Sequence, residues 1–391
     1  MEKKFYEPEE DSDLLLQTAI KELGSSKQIT SILEVGVGSG YVISNIQKKF
    51  PDKNYYGTDI NIDAIEHTKN HLFKDIENFK VCNLIESFND KKFDLILFNT
   101  PYLPLESGEE YSDLSMLDKA IYGGKKGYEI IEEFIRGLEK NLRNDSICIM
   151  VFSSLSNLDY IQKLSESLLL DFKILGKKET FFETIYSVRI KKSNTLIDLE
   201  SKGLSGIKYY DRGKHSKIFI SNYLDRKVIV KLSQPQHISK ELFYLNKLQD
   251  YDFVPKIYLS SSDYVVMDFV KGTRIKEYII DSDKDSILKV LDRVLECCYF
   301  LDSEKINKYE MTNPYKHILI QSNQQPKLID FERSRISEKT KNTTQFLQYI
   351  LRIEEILNLK KINISSNKIQ EFSKQIRLNG PKKFSISDII Q

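Results

Sequence analysis

At 391 residues, with 40% hydrophobic and 29% charged side chains, the chain is long enough for two domains with separate cores and has the balance of a soluble globular protein. It shows no secretory signal pattern and no stretch of the ~20 apolar residues a membrane span needs, so a cytoplasmic protein without membrane contact is expected. The net charge of +1 hides two unlike halves: residues 1–192 carry 25 basic and 32 acidic side chains (−7), residues 193–391 carry 33 and 25 (+8), and the first balance disfavours a nucleic-acid groove there.

Residues 1–192 alternate short apolar runs with helical patterns, the order of a sheet with crossover helices. Strands are predicted at 31–36, 55–60, 79–84, Phe93–Asn99 and 147–153, with two further β-rich segments at 172–176 and 185–191, and helices at 41–50 and 62–73. Cys82 and Cys148 fall in these runs, Cys297 and Cys298 in a later helical pattern. None has metal-ligand or disulfide spacing, so buried, reduced thiols are expected. The polar stretch 193–206, closed by Gly203 and Gly206, reads as a linker. Beyond it come β-rich segments at 217–221 and 227–232, a helical run at 238–248, strand-like residues at 256–259 and 264–269, and a long helix at 287–300. Strands first and helices later predict a two-lobed α+β domain over 207–391.

Within the first half, Ile32-Leu33-Glu34-Val35-Gly36-Val37-Gly38-Ser39-Gly40 is an apolar strand entering a glycine-rich turn and then a helix. Gly36, Gly38 and Gly40 let the backbone bend sharply beside a nucleotide-like ligand, and the spacing, preceded by acidic Glu34, suits one without pyrophosphate. Asp59 ends the next predicted strand, where a carboxylate can accept both ribose hydroxyls; S-adenosylmethionine and NAD both fit at this point. The deciding element is Asn99-Thr100-Pro101-Tyr102, at the carboxyl end of the strand Phe93–Asn99. An Asn amide pairs with a planar amide or an amidine-like base edge, Pro101 stiffens the loop, and Tyr102 offers a wall for a flat group. That arrangement is what methylation of an amide nitrogen needs, and no strong base is required if the proton leaves after transfer.

These motifs resemble the HemK family of protein-glutamine methyltransferases, whose signature is Asn-Pro-Pro-Tyr. The resemblance covers nearly all of residues 1–192. Besides the glycine turn and the Asn99 loop it includes Tyr6-Glu7-Pro8-Glu9-Glu10-Asp11-Ser12, which is similar to the archaeal and eukaryotic branch, and Gly123-Gly124-Lys125-Lys126-Gly127. It implies a Rossmann-like, seven-stranded methyltransferase domain that binds S-adenosylmethionine and acts on the glutamine of the Gly-Gly-Gln motif in a class-one translation release factor. A small zinc-binding activator subunit is the implied partner, and the glycine-lysine segment is expected on the substrate side. In two places the chain departs from the pattern. Thr100 replaces the first proline, which lowers loop stiffness, and Asn83 stands where relatives place an acidic residue toward the adenine; it is expected to bond the adenine edge. Methylation of an exocyclic amino group in RNA or DNA is the alternative acceptor chemistry.

In the second half, Lys231 lies in a predicted strand, where kinases hold the lysine that pairs ATP phosphates, and Glu241 follows ten residues later on a helix. Arg212-Gly213-Lys214-His215-Ser216 reads as a short phosphate-covering loop, and Leu328-Ile329-Asp330-Phe331-Glu332 resembles the kinase Asp-Phe-Gly motif. The whole is similar to predicted archaeal kinases related to the RIO and Bud-type small kinases. The resemblance implies ATP at Lys231, Mg at Asp330 and His317, and Glu310 as base, in a kinase-like domain that either transfers phosphate or serves as an adaptor.

Overall fold

The computed structural model describes residues 5–25, 28–71, 76–89 and 91–391. Two compact units divide the chain, Met1–Gly203 and Leu204–Gln391.

The first unit is built on seven strands: β1 (Ser31–Val35), β2 (Asn54–Asp59), β3 (Phe79–Val81), β4 (Phe93–Asn99), β5 (Leu142–Ser153), β6 (Leu170–Glu179) and β7 (Thr184–Lys192). Their order is β3-β2-β1-β4-β5-β7-β6; the first five run parallel and β7 is antiparallel to both its neighbours. This is the seven-stranded, Rossmann-like sheet that the sequence leads one to expect. β1 is buried throughout and β4 all but its last residue, as suits central parallel strands. The helices are α1 (Glu10–Ser25), α2 (Tyr41–Lys49), α3 (Ile62–His71), α4 (Met116–Lys119), α5 (Glu129–Leu138), α6 (Leu158–Ser167) and α7 (Asn194–Ser201). Leu15, Ala19 and Leu23 recur at helical spacing on α1 and share one core with Ile46 of α2 and Leu95 and Ile149 of the sheet.

The stretch 193–206 is not the linker expected. The Ser193 side chain caps α7 by accepting the Leu196 N–H (3.1 Å), Leu196 and Leu199 are buried, and Glu200 pairs with the nearly buried Lys192 (2.7 Å). Three residues, 202–204, lie between α7 and the next strand.

That strand, β8 (Ser205–Arg212), opens the second unit and was not predicted. It pairs with β9 (Ser216–Tyr223), followed by β10 (Arg226–Ser233), α8 (Pro235–Lys247), β11 (Ile257–Ser260) and β12 (Tyr264–Asp268), in an antiparallel sheet of order β11-β12-β10-β9-β8. Helices dominate thereafter, led by α9 (Ile275–Asp281) and α10 (Lys284–Ser303), whose buried Ile287, Val290, Leu291, Val294, Leu295 and Leu301 anchor the unit's core. No helix among the described residues is long and apolar enough to cross a membrane.

Candidate active site

A cavity of about 290 Å3 opens at the carboxyl edge of the first sheet. The turn after β1 forms one side. Gly36, Gly38 and Gly40 sit at φ 68°, 51° and 72°, a region that glycine occupies without penalty. The N–H groups of Gly36 and Val37 donate to the Thr58 carbonyl (2.8 and 3.0 Å), locking the turn onto β2. Glu34 is buried and its Oε2 accepts the Ile43 N–H (3.0 Å) in the first turn of α2, so the carboxylate caps that helix as well as lining the cavity. Burial pushes its pKa well up, against the Ile43 hydrogen bond and with the charge of Asp59. Asp59 accepts Gly38 N–H on Oδ2 (2.9 Å) and Asn61 N–H on Oδ1 (2.8 Å), and burial raises its pKa too. Asn83 lines the cavity, but its Nδ2 donates to Glu133 (3.0 Å), a bond the sequence did not indicate. Cys82 lies just past β3, half-buried at the cavity wall rather than buried in a strand; the other three thiols are buried.

Asn99 and Tyr102 form the opposite side. The Asn99 Nδ2 donates to Ser12 Oγ (3.3 Å), and Ser12 donates to Asp11 Oδ1 through both its N–H (2.5 Å) and its hydroxyl (3.2 Å). The other Asp11 oxygen accepts the hydroxyls of Tyr6 (3.0 Å) and Tyr102 (3.3 Å). Burial, with Asp11 next, raises both phenols far above their ordinary pKa. The network fixes the Asn99 amide plane and leaves Oδ1 buried without a hydrogen-bond partner among the described residues. Residues 6–12 entered the sequence reading only as a resemblance; a serine 87 positions away in sequence gives no local sign that it braces Asn99.

The Thr100 substitution does not loosen the loop in the way expected. Thr100 is buried, and both its N–H (3.1 Å) and its hydroxyl (2.9 Å) donate to the Val151 carbonyl on β5. Nor does Gly123–Gly127 line the cavity. It packs behind the Asn99 loop, where a Cβ on Gly123 would lie 2.5 Å from the Pro101 carbonyl oxygen and one on Gly127 2.5 Å from that of Tyr102.

In the second unit, Lys231 on β10 is 6% exposed and pairs with Glu241 on α8 (2.7 Å, 1% exposed) and with Asp330 Oδ1 (3.0 Å). Burial presses the lysine pKa down, yet the two carboxylates outweigh it and the net shift is upward. Asp330 has φ 63°, and Phe331 N–H donates to Glu241 (3.4 Å). Lys308, which the sequence reading missed, is fully buried; it donates to the Asp330 carbonyl and pairs with Glu310 (3.2 Å). Burial lowers its pKa. Glu310 is thus turned inward, with Arg333 at 3.8 Å on its other oxygen. His317 Nδ1 is buried without a hydrogen bond among the described residues, 4.0 Å from Asp330 Oδ2. The 212–216 loop is the β8–β9 turn, closed by Gly213 N–H on the Ser216 carbonyl (2.9 Å). Among the described residues, no three His, Cys, Asp or Glu side chains converge as a metal site.

The sheet order and the cavity at its carboxyl edge are those of a Rossmann-like methyltransferase fold. The methyltransferase small domain profile matches residues 7–120. The chain is 36% identical over 159 residues to a protein assigned as an N5-glutamine methyltransferase in Methanocaldococcus jannaschii, covering 39% of this chain and 73% of that one. It is 28% identical to the eRF1 methyltransferase catalytic subunit of Schizosaccharomyces pombe, over 49% of this chain and 92% of the relative. Among solved structures, a Rio2 kinase of Chaetomium thermophilum overlaps 57% of this chain and 77% of its own at a TM-score of 0.37 and 14% identity. The chain belongs, through its first unit, to the protein N5-glutamine methyltransferase family.

Proposed function

We propose that the first unit transfers a methyl group from S-adenosylmethionine to the side-chain amide nitrogen of a glutamine in another protein, the Gly-Gly-Gln glutamine of a class-one release factor. The observation that carries this is Asn99 Oδ1: a buried acceptor without a partner, held at the carboxyl edge by Ser12, is suited to an incoming N–H. Both relatives named above point the same way.

The residues fit the cofactor. Asp59 has lone pairs left for ribose hydroxyls, Gly36, Gly38 and Gly40 leave room for close backbone approach, and Glu34 and Asn83 line the same cavity. Bound S-adenosylmethionine supplies an electrophilic methyl. Asn99 accepts an N–H of the acceptor amide and turns the nitrogen toward that methyl, while Pro101 and Tyr102 hold the amide plane. Orientation does most of the work, because the amide lone pair is delocalised; water takes the proton after transfer. The second relative's description as a catalytic subunit favours a small activator subunit as partner.

For the second unit we infer an ATP-binding, kinase-like role: the buried Lys231–Glu241 pair is suited to holding phosphates. The residues fit a metal less well. Lys231 occupies one Asp330 oxygen and Glu310 faces inward, so adaptor use without phosphotransfer is favoured. Calorimetry with ATP, with and without Mg, tests this.

Mass spectrometry of a Gly-Gly-Gln factor incubated with the full chain and S-adenosylmethionine, with and without the activator, tests the main reading. A single methyl on that glutamine, absent with Asn99→Ala, is expected. Measurable cofactor binding with no methylation in either condition would sink it.

A further inference from the structure

The hairpin joining β6 and β7 turns through Thr180, Phe181, Phe182 and Glu183. Neither of its two central residues has a positive φ, so the backbone there does not call for Gly, Asn or Asp. Here both are phenylalanines, 93% and 89% exposed, with ring centroids 4.9 Å apart and nearly perpendicular. The turn is nevertheless tightly made. Thr180 donates to the Glu183 carbonyl through its N–H (2.9 Å) and its hydroxyl (2.9 Å), and accepts the Glu183 N–H (3.3 Å). Thr184 N–H donates to Ser154 Oγ (3.1 Å), tying the hairpin to the turn after β5. Two large apolar rings held out on a fixed tip have no role in this unit's own core.

Register places the tip. Ser153, the last residue of β5, pairs with Ile185, so residues 180–183 project past the carboxyl edge, where Asn99 ends β4. Glu183 lines the cavity together with Tyr102, and its Oε2 is buried without a hydrogen-bond partner among the described residues. One short element therefore presents an apolar pair outward and an unfilled acceptor inward. Among the described residues, the cavity beside the Asn99 loop is lined by the carboxylates of Glu9, Asp11 and Glu183 against the ammonium of Lys119, a balance that repels a phosphate backbone and suits a peptide segment rich in N–H donors.

We propose that this hairpin tip docks the methyl-acceptor protein. Phe181 and Phe182 cover an apolar patch beside the accepting loop, and Glu183 Oε2 accepts an N–H of the residue next to the accepting side chain. The assignment rests on the cavity being the acceptor site, as proposed above.

Initial rates for the full chain, with activator present, separate the possibilities when measured against a whole Gly-Gly-Gln factor and against a short peptide from its loop. The double variant Phe181→Ser/Phe182→Ser should raise KM for the whole factor at least tenfold, with kcat, peptide turnover and cofactor affinity within twofold of the parent. Glu183→Gln should raise KM about fivefold or more for both acceptors. Unchanged KM values overturn the proposal, as does loss of the activator from the purified complex of the double variant, which would make the tip the activator's seat. If the unaltered protein methylates neither acceptor, the reading of the cavity fails. Interferometry of factor binding then still decides the hairpin: binding lost in the double variant supports it, and binding equal to the parent overturns it.

Discussion

Replacing Lys231 by Met strips the charge partner from a carboxylate that has nowhere to go. Glu241 is 1% exposed, and its remaining neighbours include the Phe331 N–H, the carboxylate of Asp330 and, farther off, the buried Lys308 ammonium. Breaking a buried pair from one side costs about 3–5 kcal/mol at neutral pH, whereas removing both members as Lys231→Met/Glu241→Leu should stay within ~1–2 kcal/mol of the parent. The coupling from the full double-mutant cycle should then be about 2 kcal/mol or more. Burial already raises the Glu241 pKa, and losing the lysine raises it further. The folded single variant therefore binds its proton more tightly than the unfolded chain does, so its stability rises as pH falls and its deficit narrows toward pH ~5. Hydrogen exchange of the full chain, read at amides of β10 and α8, reports this locally. A single variant within ~1 kcal/mol of the parent from pH ~5 to ~8 would show that the pair is well solvated, and the reasoning from burial would be wrong.

Other substitutions test the first unit. Asn99→Ala should lower methyl transfer by ~10²–10³-fold yet shift the thermal midpoint by no more than ~4 °C, because losing the long bond to Ser12 is offset by removing an unpaired buried acceptor; differential scanning calorimetry beside rate assays checks both. Gly127→Ala places a Cβ 2.5 Å from the Tyr102 carbonyl oxygen at φ 76°, so it should cost at least ~2 kcal/mol and abolish transfer, while titration calorimetry shows cofactor affinity within about threefold. Asp94 is pushed upward by burial, but donors from Thr30 and Ser31 outweigh this and bring its pKa to about 2. Its contribution is complete above the unfolded value near 4 and is lost as pH falls through about 2. Asp94→Asn should therefore lose ~1–2 kcal/mol at pH ~7, after allowance for solvent screening, and match the parent near pH ~2 in urea titrations.

The central sheet is legible in the sequence because buried parallel strands are predominantly apolar: β4, Phe93–Asn99, carries five apolar residues broken only by Asp94 before its closing Asn99. α5 is equally readable, since Ile131, Phe134, Ile135 and Leu138 follow helical spacing. β8 was not readable, being exposed along nearly its whole length and held by pairing with β9 rather than by burial. The glycine turn, Asp59 and Asn99 could be located because chemistry and position coincide at strand ends. What orients Asn99 lies far away in sequence, at Ser12, and Lys308 is a lysine in a polar stretch that only tertiary packing buries. Asn83 shows the converse: the residue type was right for an adenine edge, while a partner fifty positions on, Glu133, already claims its amide.

Thr100 carries a historical consequence. Its N–H and its hydroxyl converge on one carbonyl of β5, so the loop is tethered by two bonds where the family signature has a ring. A proline placed at position 100 would delete both donors at once, so restoring the signature would untie the contact that holds this loop to β5. The two solutions exclude each other, and passage between them runs through a slackened intermediate. Proline is therefore not a neutral replacement at position 100.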